Sequence, residues 1–286
     1  MTLSPFSERV RQAFGRRVAS YEPLAPLQRG MAWRLAGVAA HHQARAAQAL
    51  PQGPCADLGA GTGLVGRALA AWRVSLPAPL GQLDLCPESL ARNGSGPTLP
   101  WDLNQGLPPH LRGAALLTSS FALQWLEAPA VALAHWGDHL APGGWLLLGV
   151  PTAGSFPEWR QAARRTGLPC SALPLPAADA LLAAATVAGL EVLQARVLTF
   201  SGLPSGSLPR TGPGAGPPPP VHPALGALRA LRAIGADATP HGTSLAPGAW
   251  RRLLAAWPAG GQLSWEVLLL LARKPPTAPP ALDGAP

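Results

Sequence analysis

Residue types and spacing first suggest chemistry at Asp57-Leu58-Gly59-Ala60-Gly61-Thr62-Gly63. A short apolar run feeds a GxGxG turn, which lets backbone approach a ligand closely and aims helix N–H groups at it. The pattern is weak by itself, because glycine turns after strands are common and a dinucleotide site looks similar. Two further acids sharpen it. Asp84 ends a second apolar run, where a carboxylate can grip both hydroxyls of a ribose, and Asp102 sits just beyond a third, placed to accept from an adenine amino group. The chain has only 14 acidic residues, and three of them fall at successive strand ends. The plainer alternative is three solvated loop carboxylates.

Glycine spacing separates the cofactors. Gly59, Gly61 and Gly63 give GxGxG rather than the dinucleotide GxGxxG, although Gly66 lies nearby. Asp57 precedes the first glycine by two residues, which suits a ligand ammonium group better than a pyrophosphate. S-adenosylmethionine carries such an ammonium, with a sulfonium, a ribose and an adenine and no phosphate. The expected fold is therefore that of the class I methyltransferases, a doubly wound, Rossmann-like α/β fold with a mostly parallel seven-stranded sheet.

The elements needed to hold those groups can be read along the chain. Helices are expected at Ser7–Ser20 and from about Leu24 to Leu50, together forming an N-terminal helical lid over residues 1–50. Strands follow at 55–60, 80–84, 98–101, 114–119 and 145–150, alternating with helices at 62–72 and 129–140, as a parallel α/β sheet requires. Beyond Pro151 come helices at 157–166 and 177–189, a strand at 191–200, helices at 223–233 and 247–256, and a last strand at 263–274, closing a methyltransferase domain over 51–274. Residues 203–220 hold seven prolines and four glycines and read as a loop, and 275–286, with five prolines, as a disordered tail.

Composition excludes other classes. Charged residues make up 13% of the chain, about half the usual share of roughly 25%. The long uncharged gap from Asp138 to Glu158 is nevertheless broken by Pro142, Pro151 and Pro157, so it cannot be one spanning helix. The first residues lack an apolar signal-peptide core, and a cytoplasmic protein without membrane partners is expected. Three scattered cysteines, Cys55, Cys86 and Cys170, suit neither a disulfide framework nor a zinc site. His135 and His139 stand at i, i+4, a spacing that can hold zinc, but no third ligand is nearby; they read as a solvated helix face, and no metal is expected. Net charge is +8, carried almost wholly by arginine, which favours acidic partners. The arginines form no dense run or aromatic-interleaved stripe, so no nucleic-acid partner is expected.

Further segments carry a resemblance to a known family. Ala13-Phe14-Gly15-Arg16, Ala19-Ser20-Tyr21 and Leu27-Gln28-Arg29 closely resemble the N-terminal signature of the malonyl-acyl-carrier-protein O-methyltransferases of biotin synthesis. Matches recur in order at Phe121-Ala122-Leu123-Gln124-Trp125, Leu140-Ala141-Pro142-Gly143-Gly144, Gly154-Ser155-Phe156-Pro157-Glu158, Leu231-Arg232-Ala233-Ile234-Gly235-Ala236 and Ala256-Trp257-Pro258, covering roughly 7–274. The Pro/Gly stretch at 203–220 is foreign to the pattern, and Arg232 stands where lysine is expected.

The resemblance implies methyl transfer from S-adenosylmethionine to the free carboxylate of malonyl-acyl carrier protein, an acidic partner, by a monomeric enzyme that needs positioning groups rather than a catalytic base. The expected cofactor set is Tyr21, Asp57, Gly59, Gly61, Gly63, Asp84, Leu85, Asp102, Leu103 and Ser119. Gln124 and Trp125 are expected at the acceptor pocket, with Arg229 and Arg232 as candidates to hold the malonyl carboxylate by a bidentate fork. Tyr21 and Trp125 read equally well as packing aromatics, and the two arginines as surface charges. Rival readings are a small-acid carboxyl methyltransferase of the trans-aconitate type and a non-catalytic module binding the cofactor or RNA.

Overall fold

The computed structural model describes residues 3–46, 49–201, 223–238, 245–258, 261 and 263–276. The loop expected at 203–220, and residues 277–286 of the expected tail, lie outside the described residues.

The N-terminal segment forms three helices: α1 (Pro5–Gly15), α2 (Val18–Leu24) and α3 (Pro26–Arg45). Ser4 caps α1 by accepting from the Ser7 backbone N–H at 3.1 Å, with Pro5 in the first turn, where a missing N–H costs nothing. The same logic starts α3 at Pro26. The helix expected over 7–20 therefore begins earlier and breaks at Arg16–Arg17.

The sheet follows. Its elements are β1 (Cys55–Leu58), α4 (Leu64–Ala71), β2 (Leu80–Asp84), the short α5 (Pro87–Leu90), β3 (Thr98–Pro100), β4 (Ala114–Ser120), α6 (Pro129–His139) and β5 (Leu140–Pro151). Then come α7 (Pro157–Thr166), α8 (Ala178–Val187), β6 (Glu191–Phe200), α9 (Pro223–Ala233), α10 (Pro247–Ala255) and β7 (Trp265–Arg273). Strand order is β3-β2-β1-β4-β5-β7-β6, parallel except for β7, which runs antiparallel to both its neighbours. β5 starts earlier than expected because Leu140 pairs with Ala114, ahead of an irregularity that restores register at Leu116↔Trp145.

Both faces of the sheet are covered, so β5 and β7 at its centre are largely apolar. Along β5, Leu147 packs with Met31, Leu35 and Leu269 on one face; Leu146 and Leu148 pack with Trp136, Leu181 and Leu270 on the other. α3 belongs to the first of these layers, burying Leu27, Met31, Leu35 and Ala39. Of the segment 1–50 expected to form a lid, α3 packs in this core layer, while α1 and α2 contribute Ser7, Val10, Phe14 and Tyr21 to the cavity described below. No helix among the described residues is long and apolar enough to cross a membrane.

Strand order reverses between β1 and β4, and in open α/β sheets the crevice at such a reversal is where ligands bind. The turn leaving β1 is fixed there by its backbone. Gly59 and Ala60 donate to the Leu83 carbonyl at 2.8 and 2.9 Å, and Gly61 donates to Asp84 Oδ2 at 2.8 Å. Gly59 has φ +76°, and a Cβ there would come within 2.1 Å of Ala122 Cβ, so the loop after β4 closes directly on this glycine.

Gly59→Ala is expected to lose more than about 2 kcal/mol of stability, about 1–2 kcal/mol of it from left-handed backbone and the rest from the collision. Adding Ala122→Gly should recover the collision part only. Chemical denaturation of the two single variants and the double variant checks this; independent, additive effects would show that the two turns do not touch.

Candidate active site

Two adjoining cavities open at this end of the sheet. The first is lined by Asp57 from β1, Gly59 to Thr62 from the glycine turn, Asp84 and Leu85 after β2, and Asp102 to Asn104 after β3. Ser120 to Ala122 and Trp125 close it from the β4 side, and Ser7, Val10, Phe14 and Tyr21 close it from α1 and α2. Eight of the ten residues expected to hold the cofactor meet here: Tyr21, Asp57, Gly59, Gly61, Asp84, Leu85, Asp102 and Leu103.

Two of the expected residues do not line it. Gly63 instead begins α4 with φ +88°. Ser119 is 1% exposed, and its Oγ donates to the Leu58 carbonyl at 2.6 Å. Its neighbour Ser120 lines the cavity in its place and has a buried hydroxyl without a partner. Side chains alternate along a strand, so an error of one residue selects the wrong face.

Asp57 dominates the electrostatics. It is 1% exposed, and neither carboxylate oxygen has a hydrogen-bond partner. Burial, with the nearby Asp84 charge adding to it, pushes its carboxyl up from 3.8 to about 8. A buried carboxyl left this way is costly unless something positive meets it. Asp84 is also raised by burial, against which hydrogen bonds from the Cys86 and Gly61 backbones act; its Oδ1 accepts from Cys86 N at 2.7 Å. Asp84 therefore holds the glycine turn as well as facing the cavity. Asp102 accepts from Asn104 N and Nδ2 through Oδ1 alone, at 3.0 and 3.1 Å, leaving Oδ2 to a ligand. The Tyr21 phenol is pushed upward by burial first and by the Asp84 and Glu22 charges next, so it stays neutral.

The second cavity, of about 840 Å³, shares Phe14, Tyr21, Gln28, Phe121 and Trp125 with the first. It contains all four residues expected at the acceptor: Gln124, Trp125, Arg229 and Arg232. Gln124 is buried; its Nε2 donates to the Phe121 carbonyl at 2.7 Å, while its Oε1 has no partner. Arg229 and Arg232 are exposed, and Arg232 lies 3.6 Å from Asp237. Arg16, from the Ala13–Arg16 motif, and Arg9 and Arg17, which sequence reading did not single out, line the same space. Arg9 reaches it from α1, and Arg16 and Arg17 from the break between α1 and α2.

The expectation of a solvated His135–His139 face is also corrected. His139 is 7% exposed, and its Nδ1 lies 2.9 Å from the His135 carbonyl, while His135 Nε2 accepts from the Leu107 backbone at 3.2 Å. Both rings are structural. Among the described residues no group of three or more metal-ligating side chains occurs.

The model of a methyltransferase domain family matches residues 32–195. A malonyl-acyl-carrier-protein O-methyltransferase from Alcanivorax borkumensis is 28% identical over 93% of this chain and 86% of its own. A biotin biosynthesis bifunctional protein from Bordetella avium is 37% identical over 41% of this chain and 26% of its own length. Among solved structures, a Bacillus halodurans protein assigned as a methyltransferase superposes with TM-score 0.53 at 15% identity, covering 84% of this chain and 99% of that one. The YcgJ protein of Bacillus subtilis gives TM-score 0.52 at 10% identity over 85% of this chain and 98% of its own. These two likenesses concern the fold.

A carboxyl whose proton leaves near pH 8 when folded, and near 3.8 when unfolded, stabilises the fold fully below pH 3.8 and loses that contribution as pH rises through 8. Asp57→Asn removes this dependence. Melting temperatures of the ligand-free proteins between pH 5 and 9 should fall less steeply for the variant, which overtakes the parent at the alkaline end. Parallel curves would show that Asp57 is not held protonated.

Proposed function

This chain belongs to the methyltransferase family whose domain it matches over residues 32–195, and from that premise we propose that it methylates the free carboxylate of malonyl-acyl carrier protein with S-adenosylmethionine, yielding a malonyl methyl ester for biotin synthesis. The similarity to the Alcanivorax protein of that name, over most of both chains, and the motifs from Ala13 to Pro258 support this choice of acceptor.

The residues present fit the methyl donor. When bound, S-adenosylmethionine supplies a methyl group activated on a sulfonium. Asp57 offers an unpartnered buried carboxyl to its ammonium, and the Gly59–Gly61 turn lets backbone lie against it. Asp84 accepts from the ribose hydroxyls with the lone pairs that Gly61 and Cys86 leave free, and Asp102 Oδ2 accepts from the adenine amine. Leu85 and Leu103 cover the adenine faces. Tyr21, from α2, contributes a neutral phenol near the amino-acid end.

The charge of the adjoining cavity favours the same acceptor. The cavity adjoining the cofactor pocket has Arg9, Arg16, Arg17, Arg229 and Arg232 in its lining, against the single acid Asp237. Such a lining favours an anion. A malonyl carboxylate is already ionised at neutral pH, so transfer needs no general base: alignment with the methyl and exclusion of water suffice. Arg229 and Arg232 present the carboxylate, Gln124 and Trp125 wall it, and α1 with α2 close over both ligands. The latch is Glu22, whose Oε1 takes a 2.6 Å bond from Arg67 on α4.

Mass spectrometry of malonyl carrier protein incubated with enzyme and S-adenosylmethionine should find one added methyl, and free dicarboxylic acids should remain unmodified. Methylation of free acids but not of the carrier-bound thioester would overturn the reading. Arg229→Glu with Arg232→Glu should lower kcat/KM at least tenfold. Turnover at subsaturating carrier protein should also fall steeply as salt shortens the screening length from about 10 Å at 0.1 M to about 3 Å at 1 M. Salt-independent turnover would remove the electrostatic part of the account.

A further inference from the structure

The turn that presents Asp102 is tied to α1 by one side chain. Asn104 stands in the short 3₁₀ turn Leu103–Gln105, on the lining of the first cavity. Its Nδ2 donates to Ser7 Oγ on α1 at 3.2 Å and to Asp102 Oδ1 at 3.1 Å. Its Oδ1 accepts from the Glu127 backbone N–H, in the loop before α6, at 2.9 Å. The orientation of this amide is forced. A backbone N–H only donates and a carboxylate only accepts, so Oδ1 must meet Glu127 and Nδ2 must meet Asp102.

Asn104 is exposed, so its side chain is not there to fill the core. Nor does Asp102 depend on it for orientation, because Asp102 Oδ1 also accepts from the Asn104 backbone N–H at 3.0 Å, whatever side chain stands at 104. What the side chain adds is the link to Ser7. That link matters because α1 is lightly held. Of its eleven residues only Ser7 and Val10 are buried. Its ion pair to α5, between Arg11 and Glu88, spans 3.7 Å near the surface, where such pairs contribute little. A helix with so few buried contacts opens locally at low cost, and this one carries Ser7, Val10 and Phe14 of the cavity wall.

We propose that Asn104 is a positioning residue that seats α1 through Ser7 and so sets how fast the cofactor passes that helix. The proposal rests on the placement of the adenine end beside Asp102 given above. Opening α1 breaks the bond between Ser7 Oγ and Asn104 Nδ2, while the bonds from Asn104 to Asp102 and Glu127 stay in the body of the protein. The tie is made within the protein and not to the ligand. Losing it therefore speeds entry and exit together and alters affinity less than either rate, whereas losing a direct ligand contact speeds exit alone.

The test is stopped-flow tryptophan fluorescence of the full-length protein with S-adenosylhomocysteine, read for association and for displacement. Ser7→Ala leaves the α1 cap intact, since Ser4 Oγ accepts from the Ser7 backbone N–H. Ser7→Ala and Asn104→Ala should each raise both rate constants about three- to tenfold. The double variant should go no further than the single ones, because both remove the same bond. If Asn104→Ala loses its thermal transition, Ser7→Ala decides. Unchanged rates in Ser7→Ala, faster exit without faster entry, or single effects that multiply in the double variant overturn the proposal. Asp102→Asn separates it from the placement of the adenine. That variant should speed exit with entry unchanged; if it alters neither rate, the adenine placement falls, and the Ser7 and Asn104 rates still decide the role of Asn104.

Discussion

A carboxyl group with no partner, sealed at the end of β1, is the constraint around which this structure is arranged. Asp57 has both oxygens buried and unbonded, a state no fold reaches for its own stability. Every element nearby keeps it so. The glycine turn bends away through Gly59, Asp84 spends hydrogen bonds on that turn rather than on Asp57, and Ser119 directs its hydroxyl to the Leu58 carbonyl. The result is a negative charge held back until a cation arrives, which is what an ammonium-bearing cofactor requires.

The second cavity follows from the first. Phe14, Tyr21, Phe121 and Trp125 form the wall between them, and Phe14 meets Trp125 edge-on with centroids 5.5 Å apart. One aromatic partition thus separates a carboxylate-rich pocket from an arginine-lined one. Because α1 and α2 supply Phe14 and Tyr21, closing them over the sheet completes both cavities at once.

Much of this was readable in the sequence, for physical reasons that differ between elements. β2 and β6 were placed to the residue because flanking breakers bound them, and α7 because Pro157 and Gly167 do. Asp57, Asp84 and Asp102 were legible because acids are scarce in this chain. What failed was orientation and long-range approach. Ser119 and Ser120 are adjacent on β4, and their type does not say which faces the ligand. The role of α3 was missed because an apolar helix that covers a sheet and one that covers a ligand look the same. The tie between Ser7 and Asn104 was invisible, since only the fold brings residues so far apart in the chain together.

The most direct test is calorimetric titration of the protein with S-adenosylhomocysteine near pH 7, in buffers of different ionisation enthalpy. Asp57 begins largely protonated, its carboxyl being pushed up to about 8 by burial, and must ionise to meet the ligand ammonium. Binding should release close to about one proton per site, read as an enthalpy that changes from buffer to buffer, and Asp57→Asn should abolish that dependence. Tight binding with the same enthalpy in every buffer would contradict the claim that this buried carboxyl is kept for the cofactor's cation.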